Sequence, residues 1–182
     1  MQECIGTPAF ADFKGENMLY IADDIHKIKY GLLMELYAQD LQKDAQKHYG
    51  RLSLNEGIFC AEQDFYAYLR DEFFKIRGAY YAFWVECGVY YSGLRLEPWK
   101  DGLVLCGIAT RPDCRRKGYA YKLLQQVLQQ LPCGTKVYSH IDKNNLASLA
   151  LHHKIGFQLL EDHAEMLDGS FLHNFCTFLY GE

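Results

Sequence analysis

The run Ile108-Ala109-Thr110-Arg111-Pro112-Asp113-Cys114-Arg115-Arg116-Lys117-Gly118-Tyr119-Ala120 combines residue types that could bind an anion. A β-type run from Leu103 to Thr110 breaks at Pro112, and a helix opens within the next few residues. Gly118 and Ala120 are small where a backbone must come close to a ligand, and Arg115, Arg116 and Lys117 surround them with positive charge. A helix start exposes unpaired N–H groups and the positive end of its dipole, which suits a phosphate or pyrophosphate. From Arg111 to Lys122 there are five basic residues and one acidic, in a chain of net charge −4. So concentrated a cationic turn points to an anionic ligand. It does not point to nucleic acid, which needs an extended basic face.

A second cluster follows in Asn145-Leu146-Ala147-Ser148-Leu149-Ala150-Leu151-His152-His153-Lys154-Ile155-Gly156-Phe157. Asn145, Ser148 and His152 are spaced i, i+3, i+7 and share one face of a helix, with Asn145 also placed to cap it.

The elements that must hold these groups follow from periodicity. A short strand spans Met18 to Ile21. A helix runs from Asp24 to about Leu41 on Ile25, Ile28, Leu32 and Leu36, its stripe weakening past Lys47. A second amphipathic helix carries Phe65, Leu69, Phe73 and Ile76. The period then changes: Tyr80–Glu86, Val89–Glu97 and Leu103–Thr110 read as an antiparallel meander, divided at Cys87-Gly88 and at Pro98 to Gly102. A helix with Leu123, Leu124, Val127, Leu128 and Leu131 on one face ends at Pro132-Cys133-Gly134. Strand Lys136–Ile141, helix Asn145–Ile155 and two strands, Phe157–Leu167 and Phe171–Tyr180, around an Asp168-Gly169 turn complete the chain. This order predicts an α+β fold with a mixed, mostly antiparallel sheet flanked by helices, not a doubly wound one. Residues 1–17 read as an N-terminal arm and 18–182 as a single domain.

Composition narrows the class. Of the 182 residues, 49% are hydrophobic, which excludes disorder, yet no run of eighteen apolar residues could cross a membrane. The seven cysteines form no C-x-x-C pair, so free thiols in a reducing cytoplasm are expected and a bound metal is not. No membrane or nucleic-acid partner is expected.

The form Arg115-x-x-Gly118-x-Ala120, with Asn145, Ser148, Leu149, Leu151, Lys154, Gly156 and Phe157 some thirty residues on, resembles the GCN5-related N-acetyltransferases, the GNAT superfamily. The resemblance implies a sheet splayed between its fourth and fifth strands, with acetyl-CoA as co-substrate. Pantetheine would pair with backbone near Ile108, Ala109 and Thr110. The pyrophosphate would sit on Arg115, Arg116, Lys117, Gly118, Tyr119 and Ala120, and the helix face of Asn145, Ser148 and His152 would look toward the cofactor. The implied activity is direct acetyl transfer to a primary amine of a small molecule or peptide, by a monomer or homodimer. The alternative is a CoA-binding regulatory or sensing module of the same fold with weak or no catalysis.

Two departures from the family pattern bear on catalysis. His152 stands where the family usually has a tyrosine taken as the acid for the departing thiolate. An imidazole of pKa near 6.5 would be about a quarter protonated at pH 7, and a thiol of reference pKa about 8.5 is easily reprotonated in any case. The family's usual glutamate on the fourth strand is missing from Leu105–Thr110. An alkyl ammonium near pKa 10.4 is neutral only about one part in two thousand at pH 7, so a base must come from elsewhere. Glu97 and His140 are the candidates, with Glu86 behind them; Cys106 reads as a buried, inert thiol. Residues 1–80 hold thirteen acidic and nine basic residues, placing the whole acidic excess on the side that lines the acceptor in this fold. The aromatics Tyr66, Tyr68, Tyr80, Tyr81, Phe83 and Trp84 could line that pocket or fill the core.

Overall fold

The computed structural model describes residues 18–166 and 169–181. The N-terminal arm and Asp168 lie outside the described residues. Strand β1 (Met18–Ala22) leads through a short 3-10 turn (Ile25–Lys27) to helices α1 (Tyr30–His48) and α2 (Leu54–Asp71). The meander β2 (Tyr80–Glu86), β3 (Val89–Trp99) and β4 (Gly102–Thr110) follows, then α3 (Tyr119–Gln130), β5 (Val137–Asp142) and α4 (Leu146–Ile155). Strands β6 (Gln158–Glu161), β7 (Ala164–Glu165), β8 (Phe171–Leu172) and β9 (Phe175–Tyr180) close the fold. The main sheet has the order β1-β2-β3-β4-β5-β9-β6, antiparallel except where β4 meets β5, and β7 and β8 form a separate small hairpin. The expected α+β class and mixed sheet are what the chain adopts.

Helices α1 and α2 cover one face of the sheet, closing a core with Tyr81, Phe83, Val85 and Tyr90. Helices α3 and α4 cover the other, where Leu123, Leu124, Val127 and Leu128 meet Leu94, Leu96, Leu105 and Phe178. Tyr81 and Phe83 are thus core, stacked at 4.6 Å, and Tyr80 and Trp84 pack toward the α3 side. No helix of the described residues is long and apolar enough to cross a membrane.

Three elements differ from the sequence reading. The stripe from Ile25 to Leu36 spans a break, because Ile28 is extended and the Lys29 amide donates to the Tyr90 hydroxyl (3.1 Å) instead of continuing a helical ladder. Helix α2 ends at Asp71, so Phe73 lies in a separate 3-10 turn and Ile76 beyond it. The start of α2 at Ser53 carries a capping box with Glu56 that periodicity alone passes over. The closing strands are interrupted: β6 stops at Glu161, where Lys143 grips Asp162 through its side chain (2.8 Å) and carbonyl (2.9 Å), and β9 pairs with β6 only after the β7–β8 hairpin returns.

Candidate active site

The parallel pairing of β4 with β5 is only three residues long: Leu103 with Val137, Val104 with Tyr138 and Leu105 with Ser139. Both strands continue, β4 to Thr110 and β5 to Asp142, each held from its outer side by β3 or β9. A fork therefore opens beyond Leu105 and Ser139. The inner edge of Cys106–Thr110, which includes Ile108, Ala109 and Thr110, has no strand partner across it, so an extended amide-bearing ligand can add to it as a strand would.

Above the fork, the chain turns through Pro112–Cys114 into α3. Gly118 precedes the helix at φ +86°, a left-handed conformation that only glycine adopts without strain, and a Cβ built there would meet nothing within 4 Å. Its open face and the first-turn amides of α3 make a cradle suited to a pyrophosphate. Arg116 and Lys117 are exposed and make no ion pair with any described residue. Arg115 is engaged: its Nη1 donates to Gln39 on α1 (2.6 Å) and its Nε toward the Thr110 carbonyl (3.4 Å). Arg111 likewise pairs with Glu35 (3.0 Å) and Asp113 (3.2 Å). Tyr119 donates to Glu86 (3.2 Å) and packs its ring on Tyr91. Of the three basic side chains assigned to the loop, two point free and one ties the loop to α1.

On the α4 side, Asn145 caps the helix by accepting from the Ser148 amide (3.1 Å), and Gly156 at φ +110° ends it. Ser148 leads to His152, which is 0% exposed and packs edge-on to Phe157 with rings 4.8 Å apart. Its Nδ1 lies 2.8 Å from the Ser148 carbonyl, an acceptor only, so Nδ1 carries the proton and Nε2 the lone pair. That Nε2 is buried with no hydrogen-bond partner among the described residues. Burial pushes the pKa below its ordinary 6.5, against the pull of the Ser148 carbonyl. A neutral imidazole whose free nitrogen has no proton cannot donate one, which favours, of the two roles open to His152, the neutral space-filling one over the acid.

The remaining candidates lie on the opposite face, toward α1 and α2. Register places Tyr81, Arg95 and Cys106 in one row on β2, β3 and β4, with His140 and Thr177 continuing it on β5 and β9 across the fork. Cys106 and His140 are thus the first unpaired residues on the fork's two prongs. The Nδ1 of half-buried His140 lies 3.0 Å from the Thr177 hydroxyl, which itself donates to the His163 carbonyl (2.7 Å). Since the hydroxyl proton is spent on His163, Thr177 accepts from Nδ1–H, and Nε2 of His140 is left as a lone pair. Trp99 packs edge-on at 5.0 Å. Burial and the nearby Lys100 ammonium push this imidazole below 6.5, with Glu165, ion-paired to Lys100 at 2.6 Å, pulling the other way.

Glu97 sits one row below, level with Val104 and therefore beneath the fork, and is only 7% exposed. Burial pushes its carboxyl up, partly offset by Arg95 and by the Cys106 thiol, whose sulfur is 3.9 Å from Oε1. Cys106 is itself pushed up to about 11 by burial and the Glu97 charge, so it stays a thiol, as its inert reading requires. Glu86 lies outside this row, accepting from Trp84 and Tyr119. No group of three or more His, Cys, Asp or Glu able to hold a metal occurs among the described residues.

The family model for GNAT acetyltransferases matches residues 33–157. The chain belongs to the GNAT acetyltransferase family. It is accordingly an acyltransferase of groups other than aminoacyl. Among solved structures, a GNAT-family acetyltransferase from Bacillus cereus is 19% identical with TM-score 0.54, covering 92% of this chain and 99% of that one. The PaiA N-acetyltransferase from Thermoplasma acidophilum, solved with coenzyme A, is 12% identical with TM-score 0.52, covering 90% and 99%. YncA from Salmonella typhimurium, solved with its cofactor acetyl-CoA, is 16% identical with TM-score 0.52, covering 91% and 93%. At such identities these likenesses show the shared fold. Among curated proteins none matches the chain.

Sequence reasoning missed three residues of this GNAT site. Tyr37 donates to the Gly107 carbonyl (2.5 Å) and meets the Tyr81 hydroxyl; Thr177 orients His140; and Arg95 stands beside Gly107. Only Arg95 had a signal. Arg95 and Glu97 alternate with Leu94 and Leu96, which puts two charges on one face of a central strand.

Proposed function

We infer that this GNAT protein transfers an acetyl group from acetyl-CoA to a primary amine of a small molecule or peptide, in the cytoplasm. His140 is the base. The observation that carries the reading is the fork itself, whose first unpaired position on β5 presents an imidazole with its Nδ1 proton tied to Thr177 and its Nε2 lone pair available. The residues fit the co-substrate. The open edge of Ile108–Thr110 suits pantetheine amides, and the Gly118 turn with Arg116 and Lys117 suits the diphosphate.

The amine arrives from the face covered by α1 and α2. The nitrogen of the neutral amine, its ammonium proton already lost to water, attacks the thioester carbonyl carbon while Nε2 of His140 removes a second N–H proton, and the C–S bond breaks as the amide C–N bond is completed. The departing thiolate takes a proton from water, since a thiol of pKa about 8.5 is favoured at pH 7 without a dedicated acid. Glu97, sealed beneath the fork, acts on the neighbouring Cys106 thiol and does not touch the amine.

The test is CoA release from acetyl-CoA across polyamines, amino acids, aminoglycosides and peptide N-termini. His140→Gln should lose turnover with acetyl-CoA affinity unchanged, whereas Glu97→Gln should keep most of it. A protein that binds acetyl-CoA tightly but turns over no acceptor would instead be the sensing module, a reading favoured by the absence of any carboxylate on Leu105–Thr110.

A further inference from the structure

The least satisfied group of the acceptor face is Arg95. Its side chain leaves β3 toward α2 and lies among three rings, with the guanidinium carbon 5.2 Å from the centre of Tyr68, 5.6 Å from Phe73 and 5.8 Å from Phe65. It makes no hydrogen bond or ion pair with any described residue, and its Nε is buried without a partner. The nearest carboxylate along its strand, Glu97, takes the Cys106 thiol instead. Burying a cation without a hydrogen-bonded counter-ion is costly, and the rings and the more distant Glu97 charge repay only part of that cost. The fold nevertheless makes room for it. Gly107, at φ +58°, lies against the guanidinium so closely that a Cβ would stand 2.8 Å from Nη2. Any side chain at that position would push the guanidinium aside.

Arg95 also forms the floor of a cavity of about 470 Å³ between α1 and α2, walled by Tyr37, Tyr49 and Phe65. Three carboxylates, Asp40, Asp44 and Asp64, stand around the same cavity, Asp40 paired with Lys43 (3.1 Å) and Asp64 accepting from Tyr49. The cavity thus carries both signs of charge. A simple anion would be repelled by the three aspartates and a simple polyamine by the floor. A molecule with both charges satisfies each. Arg95 is one strand from Cys106 and two from His140, so at least about 10 Å separates it from the base, two paired-strand spacings near 4.8 Å widened where the fork opens.

We propose that Arg95 binds the carboxylate of the acceptor, and that the substrate class is an amine carrying a carboxylate, as in an amino acid. This rests on the acetyltransferase reading above and narrows it. The planar fork of arginine suits a bidentate carboxylate, which an ammonium could not replace.

The experiment compares matched acceptors, amino acids of increasing chain length each against its own carboxamide, in wild type, Arg95→Met and Arg95→Lys. Wild type should favour the best carboxylate over its carboxamide at least thirtyfold in kcat/KM. Arg95→Met, which removes the guanidinium, should erase that preference, lowering kcat/KM for the carboxylate at least tenfold more than for its carboxamide. Arg95→Lys, which keeps the charge and so the fold, should retain a preference of tenfold or less. A carboxylate preference unchanged in both variants, or a wild type favouring carboxamides or diamines, would overturn the proposal. Thermal shift with the same amino acids in the presence of CoA separates this from loss of the wider reading. A carboxylate-dependent shift that disappears in Arg95→Met supports the proposal even without turnover. The absence of any Arg95-dependent shift sinks it.

Discussion

The two sides of the fork are built on opposite principles. On the cofactor side, the turn at Arg115–Ala120 offers backbone: a left-handed glycine, first-turn amides and two exposed cations, with the rest of its side chains tied elsewhere. On the proposed acceptor side, side chains from five strands, Tyr81, Arg95, Cys106, His140 and Thr177, stand in one row. A ligand common to a whole family can be held by geometry that many sequences share. A ligand particular to one protein has to be read by side chains.

Substitutions should divide along the same line. The largest effect belongs to the acceptor side: His140→Gln should cut kcat by about 100-fold or more, the usual reach of general base catalysis, with acetyl-CoA affinity unchanged. Since burial and Lys100 hold its pKa below 6.5, wild-type kcat/KM should rise with pH through that lowered value, and the rising limb should vanish in the variant. A limb that survives would move the base to another residue. On the cofactor side, Gly118→Val should weaken CoA binding at least tenfold by calorimetry, because a β-branched residue is strained at φ +86° and its side chain would fill the open face. If affinity holds in a folded variant, the cradle is not where the diphosphate sits.

Smaller changes sharpen the contrast. Thr177→Val frees the tautomer of His140 and should lower kcat about tenfold while moving the pH limb, and Thr177→Ser should restore both. An altered KM with an unmoved limb would make Thr177 merely structural. His152→Phe should leave turnover within about threefold of wild type, because its free nitrogen has no proton to give. Its effect should appear in stability. A histidine held neutral in the fold binds fewer protons than the unfolded chain below pH 6.5, so folding weakens as pH falls through that value. Melting temperatures at pH 7.5 and pH 5.5 should therefore differ less in His152→Phe than in wild type. The smallest effect is expected of Arg115→Ala. With its guanidinium held on the neutral Gln39 side chain, it should change CoA affinity less than threefold while making binding less salt-sensitive, since a full positive charge is lost from the turn.

The same division governs what could be read in advance. The cofactor turn is contiguous in sequence, so Pro112, Gly118 and the basic triplet announced it, as Asn145 and Gly156 announced α4. The meander and α3 were legible for the same reason, since their periods are local. The acceptor row is assembled from strands more than ninety residues apart, and nothing in a linear pattern joins Tyr81 to Thr177. The tautomer of His152 was equally invisible, because it depends on which carbonyl one ring nitrogen finds. The broken stripe at Ile28 and the early end of α2 show tertiary partners overriding periodicity, the first through the Tyr90 hydroxyl and the second by recruiting Phe73 into the core.

The short seam between β4 and β5 has a mechanical meaning as well. Three residue pairs are all the strand ladder that joins β1–β4 to the second half-sheet of β5, β9 and β6; the rest of the join is side-chain contact, beneath α3 and α4 on one face and through Trp99, Val104, Tyr138 and Leu179 on the other, with Asp101 holding Lys136 and Tyr138. Such a molecule resembles two boards sharing a brief glue line, and whatever lodges between them becomes a dowel. An acetyl donor bound there as proposed would also be a structural fastener. Amides along both prongs should exchange with solvent as one cooperative unit, fast when the protein is alone and slow once the gap is bridged.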